Sequence, residues 1–95
     1  MLNKENKLKC NKVINAYPKE YQLMIAMEES GEFIQAISKH IRYGDMELLL
    51  EEFADMEVVM EEIRQMFHIE DDEINKRAEK KLFRALDGRV VFNGR

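Results

Sequence analysis

The sequence has little of what interrupts helices or stabilises secreted folds. One proline, four glycines and no tryptophan occur in 95 residues, so few positions punctuate regular structure. The single cysteine, Cys10, can form neither an internal disulfide nor a cysteine-based zinc site. The sequence contains no run of about 18 apolar residues and no signal-peptide pattern, which argues against a membrane span. We expect a cytoplasmic protein in which Cys10 is a buried or half-buried small side chain.

What the sequence does contain favours amphipathic helices. Hydrophobic residues make up 45% and charged residues 36% of the chain, which is too apolar for disorder and too charged for a membrane protein. Seven Met and many Leu, Ile, Glu and Lys are good helix formers. A chain of this length holds one small core of marginal stability. We therefore expect a single all-α domain over residues 1–95.

The net charge of −4 hides a strong segregation along the chain. Residues 1–20 carry five Lys and two acids (+3), residues 28–73 fifteen acids and three bases (−12), and residues 74–95 seven bases and two acids (+5). General nucleic-acid binding would need one dominant basic surface, so this pattern argues against it. An acidic middle between basic ends favours a cation site beside a basic anchor for an anion.

Four helices are predicted, at about residues 4–16, 18–43, 46–67 and 72–86. Pro18 suits the first turn of the second helix, Gly44 ends it, and Asp45 can cap the third. The connection at Gly44 is so short that the second and third helices must form an antiparallel hairpin. Gly88 would end the fourth helix, and the tail from Arg89 would be either extended or frayed.

The acidic residues of the third helix fall into two groups. In a helical projection Glu52 lies inside the apolar arc and Asp55 lies at its edge. The arc consists of Leu49, Phe53, Met56, Val59, Met60, Ile63 and Phe67. The opposite side carries Glu47, Glu51, Glu57, Glu61 and Glu62 and is expected to face solvent. The second helix has a similar arc, made by Leu23, Ala26, Met27, Phe33, Ile34, Ala36, Ile37 and Ile41.

Two acids of the second helix also point toward the hairpin seam, Glu29 within the apolar arc and Glu32 at its border, whereas Glu28 lies further round. Residues three apart lie one turn apart on a helix, so Glu29 with Glu32, and Glu52 with Asp55, form two carboxylate pairs. Both pairs lie at a similar distance from the turn, with an axial offset of roughly 6 Å. We expect them to meet across the hairpin.

Four carboxylates this close together favour a cation as their counterion. Like charges about 4 Å apart repel by several kcal/mol at an effective dielectric near 20, and no base nearby in sequence neutralises them. Each acid alone is explained as an ordinary helix-surface charge, whereas the set of four favours a divalent cation. Ligands that are all oxygen suit Mg²⁺, with Mn²⁺ as an alternative.

The segment Glu28-Glu29-Ser30-Gly31-Glu32, followed after nineteen residues by Glu52-Phe53-Ala54-Asp55, resembles the EExxE and ExxD signature of the MazG-like all-α nucleoside triphosphate pyrophosphohydrolases. The resemblance covers about residues 13–86. It implies an antiparallel helical bundle built on a long hairpin and completed by oligomerisation. It also implies hydrolysis between the α and β phosphates of a nucleotide, releasing a monophosphate and pyrophosphate.

The resemblance also implies roles for single residues. Glu29, Glu32, Glu52 and Asp55 match the magnesium ligands of the family, and Glu28 matches the first acid of the motif. Metal-activated water needs no Ser, Cys or His nucleophile. A carboxylate not fully committed to metal, Glu28 or Glu32, would orient or deprotonate that water.

A basic stripe on the fourth helix is the candidate phosphate anchor. Lys81-Leu82-Phe83-Arg84 resembles the basic segment that follows the carboxylate helices in small members of the family, and Arg77 lies on the same stripe. Its alternative explanation is a solvated flank whose charges are favourable near a helix C-terminus. Tyr17 and Tyr21 are candidates for contact with the base, and His40 is either a helix-end residue or a substrate contact.

The apolar arcs predict a homo-oligomer, a dimer or a dimer of dimers. Leu50, Ala54 and Val58 add apolar surface outside the main arc of the third helix, more than one neighbouring helix covers.

Three alternatives to the enzyme arise from the same residues. A diiron bundle requires Glu-x-x-His pairs, and neither histidine follows an acid by three residues. A non-catalytic helical interaction or regulatory protein that keeps the metal site stays open, as does a nucleic-acid binder based on the basic ends. The sequence does not define the preferred base, sugar or number of phosphates.

Overall fold

The computed structural model describes residues 1–87, and every regular element among them is a helix. These are α1 (Lys4–Ala16), α2 (Lys19–Tyr43), α3 (Met46–Met66) and α4 (Asp71–Asp87). The four predicted helices are confirmed to within one residue at each end. The predicted helix end at Gly88 and the tail from Arg89 lie outside the described residues.

Local chemistry defines where the helices begin and end. The Asn3 side chain caps α1 by accepting a hydrogen bond from the Asn6 backbone N–H at 2.8 Å. At the hairpin, Gly44 adopts a left-handed φ of 70° and donates its N–H to the His40 carbonyl at 2.8 Å, as a C-terminal glycine does. Asp45 then caps α3 by accepting from the Leu48 N–H at 3.1 Å. The predicted turn at Gly44 and cap at Asp45 are confirmed.

Pro18 lies immediately before α2 and not inside its first turn. Its φ of −59° and ψ of 143° are extended, and its carbonyl accepts the first hydrogen bond of the helix, from the Gln22 N–H at 3.2 Å. The fourth helix begins one residue earlier than predicted, because the Glu70 carbonyl already accepts from the Ile74 N–H.

The antiparallel hairpin of α2 and α3 is the most extensive contact in the fold. Ser30 donates its hydroxyl to the Ala26 carbonyl at 2.7 Å and lies 3.8 Å from the Met56 sulfur across the seam. Phe33 and Phe53 meet edge to face, with ring centroids 6.0 Å apart. These contacts define a register in which the acidic turn of α2 faces the acidic turn of α3.

Helix α1 packs along the other side of α3. Gln65 of α3 donates to the Lys7 carbonyl and accepts from the Asn11 amide, both at 3.0 Å. Cys10 is buried in this interface, with 4% of its surface exposed. The expectation of a buried small side chain at Cys10 is confirmed.

The core of a single chain is thin. Its buried apolar residues are Cys10, Ala26, Ala36 and Val59, and no large side chain is fully buried in the described part of the chain. Several residues of the predicted apolar arcs are instead exposed, namely Met27, Ile34, Ile37, Ile41, Phe53, Met60 and Phe67. The apolar arc of α3 predicts a core face, and this is wrong for Phe53, Met60 and Phe67 in one chain, because α1 and α2 cover only part of that arc.

Helix α4 makes no contact with another helix comparable to those of the α1–α2–α3 bundle. Its start is held by Arg64, whose Nη1 lies 2.8 Å from an Asp71 carboxylate oxygen. Its apolar residues are open to solvent, with Phe83 67% and Leu86 89% exposed. The Cα radius of gyration is 15.7 Å, against about 12–13 Å for a compact domain of this length. None of the described helices is both long and apolar enough to cross a membrane.

Candidate metal and ligand site

The hairpin brings the two predicted carboxylate pairs together. Glu29, Glu32, Glu52 and Asp55 each place one carboxylate oxygen so that all four atoms lie within 4.8 Å of one another. We call these four residues the acidic cluster. The cluster forms because the pairs sit on facing turns of α2 and α3, in the register that the Ser30 and Phe33 contacts define. The structure thus has the geometry that the spacing of the two motifs predicts.

The cluster has a buried side and an open side. Glu29 and Glu52 are partly buried, whereas Glu32 and Asp55 are exposed. Oε2 of Glu29 and Oε2 of Glu52 are buried without a hydrogen-bond partner. A buried carboxylate oxygen without a partner costs free energy unless a proton or a cation compensates it. The cluster therefore presents two unpaired oxygens inside and two accessible carboxylates outside.

Burial and mutual repulsion raise the proton affinity of the cluster. Burial, followed by the charges of Asp55 and Glu32, raises the pKa of Glu29 from 4.5 to about 7. Burial, followed by the charges of Glu32 and Asp55, also raises the pKa of Glu52. None of the four forms an ion pair with a base among residues 1–87. The excess negative charge is therefore uncompensated within the described chain.

The donor set fits a hard divalent cation. Four carboxylate oxygens this close, two of them buried and unpaired, supply the charge and the ligands that Mg²⁺ or Mn²⁺ takes, with water filling other positions. The cluster offers no nitrogen or sulfur ligand, which zinc and copper sites favour. The acidic cluster could therefore hold a metal of the magnesium type.

An open cavity of about 330 Å³ adjoins the cluster. Glu29 and Asp55 belong to both the cavity wall and the acidic cluster. The remaining lining comes from α1, α2, α3 and the α1–α2 connection, and consists of Val13, Tyr17, Tyr21, Gln22, Ile25, Val58, Val59 and Glu62. A mostly apolar wall with a few polar groups is typical of small-molecule sites.

Tyr17 and Tyr21, the predicted base contacts, lie on this cavity. Their ring centroids are 5.8 Å apart with an interplanar angle of 34°, and both residues are about half-exposed. A flat ring entering the cavity would meet these two aromatic rings.

Other predicted site residues lie outside the cluster. Glu28 is exposed and outside it. His40 is partly buried and its Nδ1 has no partner, but it lies about 16 Å along α2 from Glu29, toward the hairpin turn. Neither residue lines the cavity beside the cluster.

The predicted phosphate anchors all lie on α4. Arg77 binds Glu73 of its own helix at 3.1 Å, and Lys81 and Arg84 are exposed. Because α4 is not packed against the hairpin, the basic stripe and the acidic cluster remain separate within the described part of one chain.

Sequence reasoning missed Gln22, which is only 7% exposed and lines the cavity. Its Nε2 donates to the Tyr17 carbonyl at 2.8 Å and to the Ile14 carbonyl at 3.2 Å. Its Oε1 is buried and has no partner. The available signal was a polar residue two turns before Glu29 on the same helical face.

The expectation of a solvent-facing side is wrong for Glu57, Glu61 and Glu62, which are all partly buried; the Glu61 side chain is only 11% exposed. Glu62 is partly buried in the cavity wall, and burial raises its pKa. The helical projection considered only the seam with α2, whereas α1 packs over the flank of α3 that carries Glu62.

Comparison of the chain with protein-family models, with curated proteins and with solved structures gives no match.

Proposed function

We propose that this chain is a magnesium-dependent nucleotide pyrophosphohydrolase that cleaves between the α and β phosphates of a nucleoside triphosphate. The observation that carries the proposal is a four-carboxylate cluster with two buried, unpaired oxygens that opens onto a mostly apolar cavity. The sequence resemblance to MazG-like enzymes, carried by the residues of the same cluster, supports the same chemistry.

In this proposal Glu29, Glu32, Glu52 and Asp55 hold the metal. A bound Mg²⁺ polarises phosphate oxygens and lowers the pKa of a coordinated water. The chain itself contributes position and charge: Glu29 and Glu52 act from the buried side, where fewer waters compete, and Glu32 and Asp55 act from the side open to substrate. Such fixed carboxylates need little reorganisation during the reaction.

A carboxylate that is not committed to metal would handle the attacking water. Glu32 is exposed within the cluster and Glu28 is exposed just outside it, so either would orient the water or accept its proton. Tyr17 and Tyr21 would contact the base in the adjoining cavity. His40 would touch substrate only if the substrate extended toward the hairpin turn.

We further propose that the working form is a homo-oligomer, a dimer or a dimer of dimers. Large apolar side chains are exposed on α2 and on α4, among them Met27 (73%), Ile41 (78%) and Leu86 (89%). Isologous pairing of two chains would cover such surface. It would also allow Arg77, Lys81 and Arg84 of one copy to approach phosphates bound at the acidic cluster of another.

The direct test is a screen of canonical and modified nucleoside triphosphates with Mg²⁺ that measures pyrophosphate and monophosphate together. The proposal expects both products in equal amounts, loss of both on chelation of the metal, and loss in Glu52→Gln. Glu57→Gln is the matched control, because Glu57 lies on the same helix outside the cluster. Release of single phosphates, or no turnover with any nucleotide, would contradict the proposal.

A second candidate function rests on α4. Its apolar residues Ile74, Leu82, Phe83 and Leu86 are all exposed, as is typical of a helix that binds another protein. In this version the chain is a non-catalytic interaction or regulatory protein that keeps the metal site. Metal binding without release of pyrophosphate would favour it over the enzyme.

A further inference from the structure

The cavity beside the acidic cluster has two distinct ends. The antiparallel register that faces Glu29 with Asp55 and Phe33 with Phe53 also puts Gln22 at the level of Glu62. Seven residues separate Gln22 from Glu29, about 10 Å along a helix, and the same number separates Asp55 from Glu62. One end of the cavity is therefore the metal-binding end, and the other end, two helical turns away, is formed by Gln22 and Glu62.

The end formed by Gln22 and Glu62 offers hydrogen-bond acceptors. Both hydrogens of the Gln22 amide are used by the carbonyls of Ile14 and Tyr17. Rotating the amide would place its oxygen against two carbonyl oxygens, so the orientation is determined by these partners. Oε1 is left as a buried acceptor without a partner. Glu62 also lines the cavity and adds a partly buried carboxylate as a second acceptor.

An unpaired buried acceptor such as Gln22 Oε1 favours a ligand that carries hydrogen-bond donors. Gln22 is more than nine-tenths buried, and an acceptor held there is stabilised most by an N–H group that reaches it. Tyr17 and Tyr21 border the same cavity and are half-exposed, so their rings can shift to admit a flat ring at little packing cost. The metal-binding end would hold the anionic part of the same ligand.

We propose that this cavity selects nucleotides whose base carries an exocyclic amino group, with Gln22 Oε1 and the Glu62 carboxylate accepting hydrogen bonds from that group. This inference rests on the proposed function, because it takes the acidic cluster as the phosphate end of the site. An amino group has two hydrogens and can satisfy both acceptors. A keto base brings its carbonyl oxygen toward Gln22 Oε1 or the Glu62 carboxylate. Two hydrogen-bond acceptors then face each other with no hydrogen between them.

The experiment compares matched pairs of non-hydrolysable α,β-methylene triphosphates bound in the presence of Mg²⁺. The bases of the cytidine and uridine analogues have the same ring size. The cytidine base carries an amino group at the position where the uridine base carries a keto group. Adenosine and inosine analogues form the corresponding purine pair. Calorimetry should give Kd values lower by about ten- to hundredfold for the amino member of each pair, the range expected when a buried acceptor gains or lacks its donor.

Variants assign the preference to the two acceptors. Glu62→Gln replaces a carboxylate by an amide that can also donate, so it should improve binding of the keto members and reduce the discrimination about tenfold. Glu61→Gln is the matched control, a neighbouring acid on α3 that does not line the cavity, and should keep the wild-type ratio. Gln22→Met removes the buried acceptor and should also reduce the ratio. Gln22→Met also loses the hydrogen bonds to Ile14 and Tyr17 and does not fold if these bonds are essential. In that case the ratio of Kd values in Glu62→Gln alone tests the cavity inference.

Parallel measurement of pyrophosphate release from the natural triphosphates separates the two proposals. Tight binding of the amino members without turnover supports the cavity inference and overturns the enzyme. Turnover with equal Kd values in both pairs overturns the cavity inference and leaves the enzyme. A preference for the keto members, or an unchanged ratio in Glu62→Gln, also overturns it. Failure of every analogue to bind overturns the cavity inference, and if no natural triphosphate is turned over either, both proposals are overturned.

Discussion

Glu29 and Asp55 face each other across the α2–α3 hairpin and each places a carboxylate oxygen in the acidic cluster. Burial is the first cause that raises the pKa of Glu29 to about 7, and the charge of Asp55 is the second. The two residues also belong to the wall of the adjoining cavity. Burial of these carboxylates and their mutual repulsion in the absence of a cation are the physical basis of the first three predictions.

We expect Mg²⁺ or Mn²⁺ at millimolar concentration to raise the Tm. A cation that binds only the folded chain stabilises it by mass action, by about 2.7 kcal/mol at a hundredfold excess over Kd. Differential scanning calorimetry with and without metal measures the effect, and Glu52→Gln should reduce it while Glu57→Gln should not. An unchanged Tm in the wild type would count against a metal at this cluster.

The stability of the metal-free protein should fall as pH rises from about 5 to about 8. Glu29 has its pKa raised in the fold from 4.5 to about 7, so between these values the folded chain holds a proton that the unfolded chain has lost. Folding is then favoured at the lower pH, and this contribution disappears as the pH passes about 7. The raised pKa values of Glu52 and Glu62 act in the same direction.

The gain in Tm from Mg²⁺ should follow the opposite trend, small at pH 5 and large at pH 8, because the metal requires ionised carboxylates. Thermal unfolding across this range, with metal and with chelator, measures both trends. Glu29→Gln has no proton to lose and should flatten the metal-free curve. A metal-free Tm that increases steadily from pH 5 to pH 8 is the outcome that this account does not allow.

Glu52→Gln and Asp55→Asn should each reduce pyrophosphate release by at least about a hundredfold, the upper end of the cost of losing groups that only orient metal ligands. Both variants should keep their helical circular dichroism and an equal or higher metal-free Tm, because removing one of several crowded charges relieves repulsion. Glu57→Gln and Glu61→Gln lie outside the cluster and should keep near wild-type activity. If Glu57→Gln and Glu61→Gln reduced pyrophosphate release as much as Glu52→Gln and Asp55→Asn, the cluster would not be the reactive site.

Gly31→Ala should stabilise the folded chain. Gly31 is an exposed residue inside α2, and a Cβ added there would have no atom within 4 Å. Replacing a helical glycine by alanine contributes about 0.5–1 kcal/mol, or a Tm increase of a few degrees that thermal unfolding detects. A decrease in Tm would instead indicate that another copy of the chain packs against this position.

We predict a homo-oligomer with a dimer as the minimum unit. Four helices in one chain bury no large side chain completely within the described residues, and association would provide the core that a single 95-residue chain lacks. Sedimentation equilibrium at micromolar concentration should give at least twice the chain mass of 11.3 kDa. A fully active species of a single chain would contradict the prediction and require one chain to form the whole site.

Residues close together in the chain determined much of this fold. The Gly44 turn, the Asp45 cap and the helix bounds depend on contacts within a few residues, and the structure has them within one residue of the prediction. The acidic cluster was predictable for the same reason: the spacing within each helix and the short turn together dictate which carboxylates meet.

What the sequence did not reveal depends on packing between distant segments. The path of α1 over α3 creates the cavity, buries Gln22 with one unpaired oxygen, and moves Glu62 from a predicted solvent face into the cavity wall. The separation of α4 from the hairpin was equally hidden. Helical periodicity reports which residues share a face, because that depends on local geometry alone. Only the tertiary structure decides which neighbour covers the face, since that depends on contacts between segments far apart in the chain.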